Sequence, residues 1–441
     1  MKRKTLIIGG GGREAATVWM IKDSLGPNVE IHCAPGNAGM KPMAELWNVR
    51  ANDIDGLCAL AKKLQPDIVI PGPEEPLVLG ISDRLSDLGI ACVGPGAEAA
   101  RLEGSKVFAK RFMRRHNIRT AAFRVFDDPK EARRFDRWPC APSRLPVIKA
   151  DGLCGGKGVF IPNDHNEALD AIEEIMVKKK FGVAGDRIVI EELLSGYECS
   201  FIVFTDGRYA VPFLPTTDYK RRRDGDEGLN TGGMGAYCPN PLITPNLHEE
   251  IMEDIVLPTI RGMAFEGIPY RGFLYFGLMI AEDGIYVLEY NVRMGDPEAA
   301  AILPLCDFDL VELLIAAIDG PANEILRNIK LNWRKNTAAV TVVLADEKYP
   351  EGRSDGETIA GIEKAKKRGA LVFTAGVSSP SAGGQTLVTS GGRILDVTGI
   401  GKDFCEAQKI AYAGAEAIQF KGKNYRKDIA EHLALLHQQV D

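Results

Sequence analysis

"PVIKADGLCGGKGVFI", residues 146–161, decides the fold. An apolar run delivers Lys149. A glycine-rich turn from Gly152 to Gly158 then carries Gly155, Gly156 and Lys157, and the chain returns at once into "VFI". A P-loop would need G-x-x-x-x-G-K-[ST] opening a helix; neither the pattern nor the helix is here. Strand, loop, strand remains. The physics is still that of a phosphate cradle, because glycines let backbone N–H groups approach oxygens and the lysines bring charge. A plain hairpin with exposed lysines fits the string equally well, so its neighbours must decide.

Upstream, residues 1–100 alternate apolar runs with helical patterns. "TLIIGG" (5–10), "VEIHCAPG" (29–36), "DIVIPGPE" (67–74) and "ACVGPG" (91–96) read as strands, with helices over 13–24, 54–64 and 76–88. That order predicts a parallel sheet with right-handed crossovers. Ligands of such sheets bind beyond the carboxyl ends of the strands. Three turn-rich loops lie there: 9–12, 35–39 and 71–75. From Gly10 the first also satisfies G-x-G-x-x-A, a dinucleotide fingerprint. The acid expected at the end of the second strand is missing, however, since Glu30 lies inside that strand. "LEGSKVFAKRFMRRHNI" (102–118) predicts a basic amphipathic helix starting near Ser105.

Downstream, "DRIVIEELL" (186–194) is a strand ending in acids, whose edge could hydrogen-bond an adenine ring. "DYKRRRDGDEGLNTGGMGAY" (218–237) packs charge, Gly and Thr into one loop, either a solvated charge run or a polyanion clamp. In "GIYVLEYNVRMGDPEAA" (284–300) the period of two puts Glu289 and Asn291 on one strand face. Two oxygen donors so placed suit Mg²⁺, which completes its octahedron with water and substrate phosphates. Arg293 continues that face as a fork for carboxylate or phosphate, and Glu282 is a candidate third acid. An apolar helix over 308–320, a junction at "GPANEIL" and a small α+β domain of the last 110 or so residues complete the chain, with "SSPSAGG" (378–384) as a surface turn.

Composition bounds the function. With 441 residues the chain is too long for one core. A net charge of −6 provides no basic field for nucleic acid or an anionic membrane. No apolar stretch approaches the roughly 18 residues of a membrane span. The short apolar run after "MKRK" reads as a strand, not a signal peptide. Nine scattered cysteines without C-x-x-C argue against zinc and a disulfide framework, and for the cytoplasm. Six histidines without metal spacing leave a hard ion on oxygen ligands.

These stretches, in this order, resemble the ATP-grasp ligases and, among them, the glycinamide ribonucleotide synthetase family. "GGREA", "APGNAG", "GPEEPLVLGISDRL", "KADGLCGGKGV", "NTGGMGAY", "EYNVRMGDPE" and "SGGRIL" carry the resemblance over essentially the whole chain. It implies an α/β protein of three parts. Residues 1–103 form a Rossmann-like, pre-ATP-grasp parallel-sheet domain for phosphoribosylamine. Residues 104–328 form an ATP-grasp domain with a mobile lid at about 122–190, and 329–441 a small C-terminal domain. The implied reaction joins glycine to 5-phosphoribosylamine through a glycyl phosphate, giving ADP, phosphate and glycinamide ribonucleotide in purine biosynthesis. Carried over by motif, Lys106, Lys149, Lys157 and the Gly155–Gly158 turn hold ATP phosphates. Glu191 and Leu193 meet adenine, and Glu198 the ribose. Glu289 and Asn291 hold Mg²⁺ or Mn²⁺. Arg293, Lys220 and Asp218 act at the reacting centre, and Asp296, Pro297 and Glu298 border glycine. Gly12, Arg13, Glu14, Asn37, Gly39, Glu74 and Pro76 receive phosphoribosylamine. The opening glycines then cradle a phosphorylated sugar rather than NAD. A monomer or homodimer is expected, with no nucleic-acid or membrane partner.

The chain leaves the family pattern at three histidines: Ala15 in "GREAA", Tyr219 in "DYKR" and Thr374 in "FTAGV". Cys154 stands where the family has Ala, and "MGDPEAAAILP" departs from the usual "GDPET" continuation. These changes leave open a ligase for another amine and carboxylate. A nucleotide-binding protein without turnover is the third reading, opposed by the intact Lys149, Lys157, Glu289 and Asn291.

Overall fold

The computed structural model describes residues 2–139, 145–318, 324–380 and 386–433. Parts of the 308–320 helix, the 320–326 junction and the 378–384 turn lie outside the described residues. Near the N-terminus four parallel strands run in the order Glu45–Leu46, Val29–Pro35, Arg3–Gly9, Ile68–Pro71. Leu6, Ile7 and Ile8 are all 0% exposed, because a parallel sheet is covered on both faces and its strands read as unbroken apolar runs. The expected strand at 91–96 is only one parallel bridge, Val69 to Cys92. Pro95 lacks the N–H a ladder needs, and Gly94 lies at φ +147°.

Two expected helices are broken. The 76–88 segment becomes Glu74–Val78 and Ile81–Ser86, parted by Gly80 at φ +84°. The 102–118 segment becomes the end of Ala97–Gly104 and then Lys106–Arg115. Ser105 between them is extended, and its hydroxyl accepts the Phe108 N–H at 3.1 Å, an N-cap worth about 1 kcal/mol. The cap fixes the start of Lys106–Arg115, where Lys106 lines the central cleft described below.

Two antiparallel sheets form that centre. One runs Ala210–Pro212, Tyr197–Thr205, Gly272–Ala281, Gly284–Asn291; the other runs Phe123–Phe126, Ile188–Glu192, Pro146–Ala150, Val159–Phe160. The second packs Ile148, Ile188 and Ile190 with Ala168, Ala171 and Ile172 of the helix His165–Ile172, a core of its own. The C-terminal sheet runs Thr217–Asp218, Gly235–Cys238, Ala338–Asp346, Arg393–Gly401, Leu371–Thr374 and is covered by the helix Phe404–Ala417. Both ends of the 218–237 loop are therefore anchored on the C-terminal sheet. Among the described residues no helix is long and apolar enough to cross a membrane.

Candidate active site

A cleft of about 250 Å³ opens between the two central sheets. Its floor is the strand Gly284–Asn291. Pairing with Gly272–Ala281 slips by one residue there, Gly277 facing Glu289 while Leu278 faces Val287. Leu288 is the extra residue of this bulge, and bulges re-aim side chains beside sites. Glu289 and Asn291 both line the cleft, as the period of two requires. Glu282 sits exposed in the hairpin turn and joins nothing. Burial pushes the Glu289 carboxyl up, but Lys220, Lys106 and Lys149 outweigh it and hold it at about 2. Asn291 Oδ1 accepts from Arg293 Nη2 at 3.2 Å.

Arg293 is the hub of the neighbouring wall. It pairs with Glu74 at 3.0 Å and Glu103 at 3.0 Å. Glu103 also accepts the Val292 N–H at 2.7 Å. The two carboxylates are shifted in opposite directions. Burial raises both, yet Arg293 and Arg13 draw Glu74 down to about 2. In Glu103 burial, with Glu74 beside it, prevails over Arg293 and lifts the group to about 7.

Lys149 lines the cleft from the facing sheet and donates to the Leu288 carbonyl at 3.3 Å. It also pairs with Glu191, whose other oxygen lies 2.5 Å from Lys110. Lys110 and Glu191 are each 2% exposed. Glu191 lines the cleft while its side chain pairs with the two lysines, and Leu193, half-exposed, lines it as well. Burial and Lys149 lower Lys110 to about 8 against the pull of Glu191. Glu191 is held below the usual carboxylate range, its burial outweighed by the two lysines. Lys110 was legible in principle: it falls on the apolar stripe of its helix, with Val107, Phe112 and Met113 buried around it.

Gly155 and Gly156 turn at φ +57° and +76°, a conformation that favours glycine. They line the cleft, while Lys157 on the same turn is exposed and does not. Opposite stands the 218–233 loop. Lys220 pairs with Glu198 at 2.9 Å. Burial disfavours the Lys220 charge, but Glu198 and Asp218 more than restore it. Asp218 is pushed well above the carboxylate range by burial and by Glu298, Glu198 and Glu289, with Lys220 opposing. Thr231 Oγ1 donates to the Lys220 carbonyl at 2.9 Å and accepts the Gly233 N–H at 3.0 Å, which shapes the turn. Glu298, 3% exposed, accepts from Ser200 at 3.0 Å.

Arg393, from the C-terminal domain, was not foreseen. It donates to the Gly232 carbonyl at 2.6 Å and the Asp296 carbonyl at 2.7 Å, and pairs with the Asp296 carboxylate at 3.0 Å. Asp296 and Glu298 line the cleft; Pro297 packs against Gly233 outside it.

The expected sugar residues divide. Glu74 lines the cleft, but Gly12, Arg13, Glu14, Asn37, Gly39 and Pro76 do not. Arg13 is buried, bonded to Glu14 at 2.7 Å and to the Met294 carbonyl at 3.1 Å. Pro76 is buried in its helix. A Cβ at Gly12 would overlap Asp396, whose carboxylate lies against that glycine. Asn37 donates to the Gly10 carbonyl at 2.9 Å and accepts from Thr374 at 2.7 Å. Of the three lost histidines, the Thr374 position bonds Asn37 of the 35–39 loop, and Ala15 donates its N–H to the Gly11 carbonyl of the 9–12 loop at 3.0 Å. Ala15 is buried, and Tyr219 stacks under Arg426 and accepts the Ala430 N–H.

The donor chemistry fits a hard divalent ion. Among the described residues no three His, Cys, Asp or Glu side chains group as a metal cage. One carboxylate and one carboxamide suit an ion that shares its shell with phosphates and water.

Three family models match in succession: the N domain of phosphoribosylglycinamide synthetase over residues 3–103, its ATP-grasp (A) domain over 104–299 and its C domain over 339–432. The chain is 45% identical over 438 residues to a phosphoribosylamine–glycine ligase of Vibrio vulnificus, covering 98% of this chain and 99% of that protein. It is 45% identical over 432 residues to the trifunctional purine biosynthetic protein adenosine-3 of Gallus gallus, covering 97% of this chain and 42% of that protein. A crystal structure of phosphoribosylamine–glycine ligase from Thermotoga maritima is similar at 37% identity and TM-score 0.81, over 97% of this chain and 100% of that one. The biotin carboxylase domain of a Hydrogenobacter thermophilus 2-oxoglutarate carboxylase, solved with MgADP and bicarbonate, shares the fold. It matches at 17% identity and TM-score 0.68, over 96% of this chain and 92% of that one.

Proposed function

The chain belongs to the phosphoribosylglycinamide synthetase family, and from that premise we propose how its cleft carries out the reaction. It is an ATP-dependent ligase that joins glycine to phosphoribosylamine in purine biosynthesis, using a divalent metal. Ligation of another amine and carboxylate is not favoured.

ATP lies with its base against apolar lining residues of the cleft such as Val147, Ile161, Leu194 and Met279. Its phosphates run along the Gly155–Gly156 turn toward Lys106, Lys149 and Lys220. A divalent ion, Mg²⁺ or Mn²⁺, held by Glu289 and Asn291, would neutralise phosphate charge. Glycine's carboxylate binds near Arg293 and the Asp296–Glu298 turn. One of its oxygens attacks the γ-phosphorus, the bond to the ADP oxygen breaks, and glycyl phosphate forms. The amine of phosphoribosylamine then attacks the glycyl carbonyl carbon. The carbon–oxygen bond to phosphate breaks, phosphate departs with the electron pair, and the nitrogen loses a proton. No side-chain nucleophile takes part. The protein's contribution is positioning and fixed charge. The lid segment 122–190 closes over the nucleotide, and its separate core supports movement as one body. The divisions 1–103, 104–328 and 329–441, a cytoplasmic location and a monomeric or homodimeric state belong to the same reading.

The observation that carries it is the meeting of Glu289, Asn291, Lys149, Lys220 and the glycine turn in one cleft. A coupled ADP-release assay tests it. Release is expected only when ATP, glycine and phosphoribosylamine are all present; release independent of either co-substrate would overturn the reading.

A further inference from the structure

The C-terminal domain sends two side chains to one glycine of the cleft wall. Gly232 donates its N–H to the Tyr349 hydroxyl at 2.8 Å, and its carbonyl accepts from Arg393 at 2.6 Å. Gly232 and Thr231 line the cleft, and a Cβ on Gly156 of the facing turn would stand 4.0 Å from the Gly232 Cα. The tyrosine is itself fixed. Its N–H donates to the Asp346 carbonyl at 3.0 Å, and the Asp346 N–H donates to the Gly392 carbonyl at 2.8 Å. The ring lies so close to Gly392 that a Cβ there would stand 2.4 Å from its Cδ2. The ring occupies the side-chain space at 392, which gives the second glycine of "SGGRIL" a role beside Arg393.

Gly232 and Gly233 have no side chains to anchor them, and glycine gives up more freedom on ordering than any other residue. Their anchors must come from outside the turn. Gly233, at φ +110°, is packed so that a Cβ would meet Pro297 Cδ at 2.4 Å. The turn is also tied to the charged segment beside it. The Thr231 N–H and Oγ1 both donate to the Lys220 carbonyl, at 2.8 and 2.9 Å, and the Met234 N–H donates to the Tyr219 carbonyl at 2.8 Å. Displacing Gly232 therefore displaces the backbone that carries Lys220. Arg393 extends the same clamp to the Asp296 carbonyl at 2.7 Å and carboxylate at 3.0 Å. Tyr349 does not line the cleft, so it acts through the turn alone.

We propose that Tyr349 is a positioning residue for phosphoryl transfer: with Arg393 it clamps Gly232, and through the 231–233 turn it holds Lys220 in place across the cleft from Gly155 and Gly156. The inference rests on the ligase reading above. The C-terminal domain then acts on the reacting centre without Tyr349 touching it. The hydroxyl carries the effect, since it accepts the Gly232 N–H. Misplacement of a group near the chemistry is felt mainly in the reacting geometry. The clamp therefore acts on the rate of phosphoryl transfer and not on the affinity for ATP.

The test compares the full-length wild type with Tyr349→Phe, Arg393→Met and the double variant. ADP formation in the presence of glycine and phosphoribosylamine is followed by rapid quench in a single turnover. The KM for ATP is measured in the steady state, with thermal midpoints alongside. Losing the one hydrogen bond should slow ADP formation about tenfold in Tyr349→Phe and leave the KM for ATP within about twofold. Because both side chains act through Gly232, the double variant should match Arg393→Met alone to within about threefold. A wild-type rate in Tyr349→Phe, or losses that multiply in the double variant, would overturn the clamp and leave the ligase reading standing. So would a loss of rate that vanishes when the assay is cooled well below the thermal midpoint, the mark of a purely structural role. Failure of the wild type itself to form ADP with both co-substrates would overturn the reading on which the inference rests.

Discussion

Replacing Lys110 by Met removes one of two counter-charges from a carboxylate that is 2% exposed. Breaking a buried ion pair from one side costs about 3–5 kcal/mol, because the remaining charge stays buried and under-paired. Lys149 remains as a second partner of Glu191, so the lower end, about 3 kcal/mol, is expected. The functional consequence follows from the same geometry. Lys149 now serves Glu191 alone and is held more firmly away from the cleft, so the KM for ATP should rise about tenfold, equivalent to about 1.4 kcal/mol. Adding Glu191→Gln removes the uncompensated charge and should recover at least half of the lost stability. The coupling between the two substitutions is then about 1.5–3 kcal/mol, within the range for residues in direct contact. Urea unfolding followed by intrinsic fluorescence gives the stabilities, and steady-state ADP release gives the KM. A Lys110→Met protein with wild-type stability and KM for ATP would refute the triad, and so would strictly additive losses in the double variant.

Glu289→Gln should lower kcat at least about hundredfold with the fold intact, since metal-assisted charge stabilisation is worth several kcal/mol and each 1.36 is tenfold. Circular dichroism and Mn²⁺ titration in the presence of ADP check this; wild-type turnover would refute the metal assignment. Arg393→Met loses the bonds to Gly232 and Asp296 and should lower kcat about hundredfold, the effect of a 1 Å misplacement, with little change in the KM for ATP. Glu103 and Glu74 share Arg293 but should titrate with opposite sign. Glu103 rises from 4.5 to about 7 on folding, so the native state holds the extra proton; stability is full below pH 4.5 and falls by up to about 3 kcal/mol as pH rises to 7. Glu74 drops to about 2, so its contribution is full above pH 4.5 and is lost as pH falls toward 2. Denaturation series on Glu103→Gln should show the first slope removed and the second retained.

What the sequence made legible was local. Glycines flanking apolar runs marked the loops, and a period of two put Glu289 and Asn291 on one face despite the bulge at Leu288. Ser105 was recognised as a helix start because capping is chemistry of adjacent residues. Gly80 broke the 76–88 segment by a backbone angle that its composition does not announce. The groups that finish the site are distant pairings. Glu103 meets Arg293 across 190 residues, and Arg393 reaches Gly232 across 161. Arg13 and Glu14 look like ligands in sequence, and in the fold they satisfy each other.

The central claim is that glycine's carboxylate attacks ATP in this cleft and leaves one of its oxygens on phosphate. Turnover with carboxylate-¹⁸O-labelled glycine, followed by mass spectrometry of the released phosphate, tests it most directly. The account predicts one labelled oxygen in each phosphate released, with Glu289→Gln releasing almost none. Phosphate free of label at full turnover would contradict it.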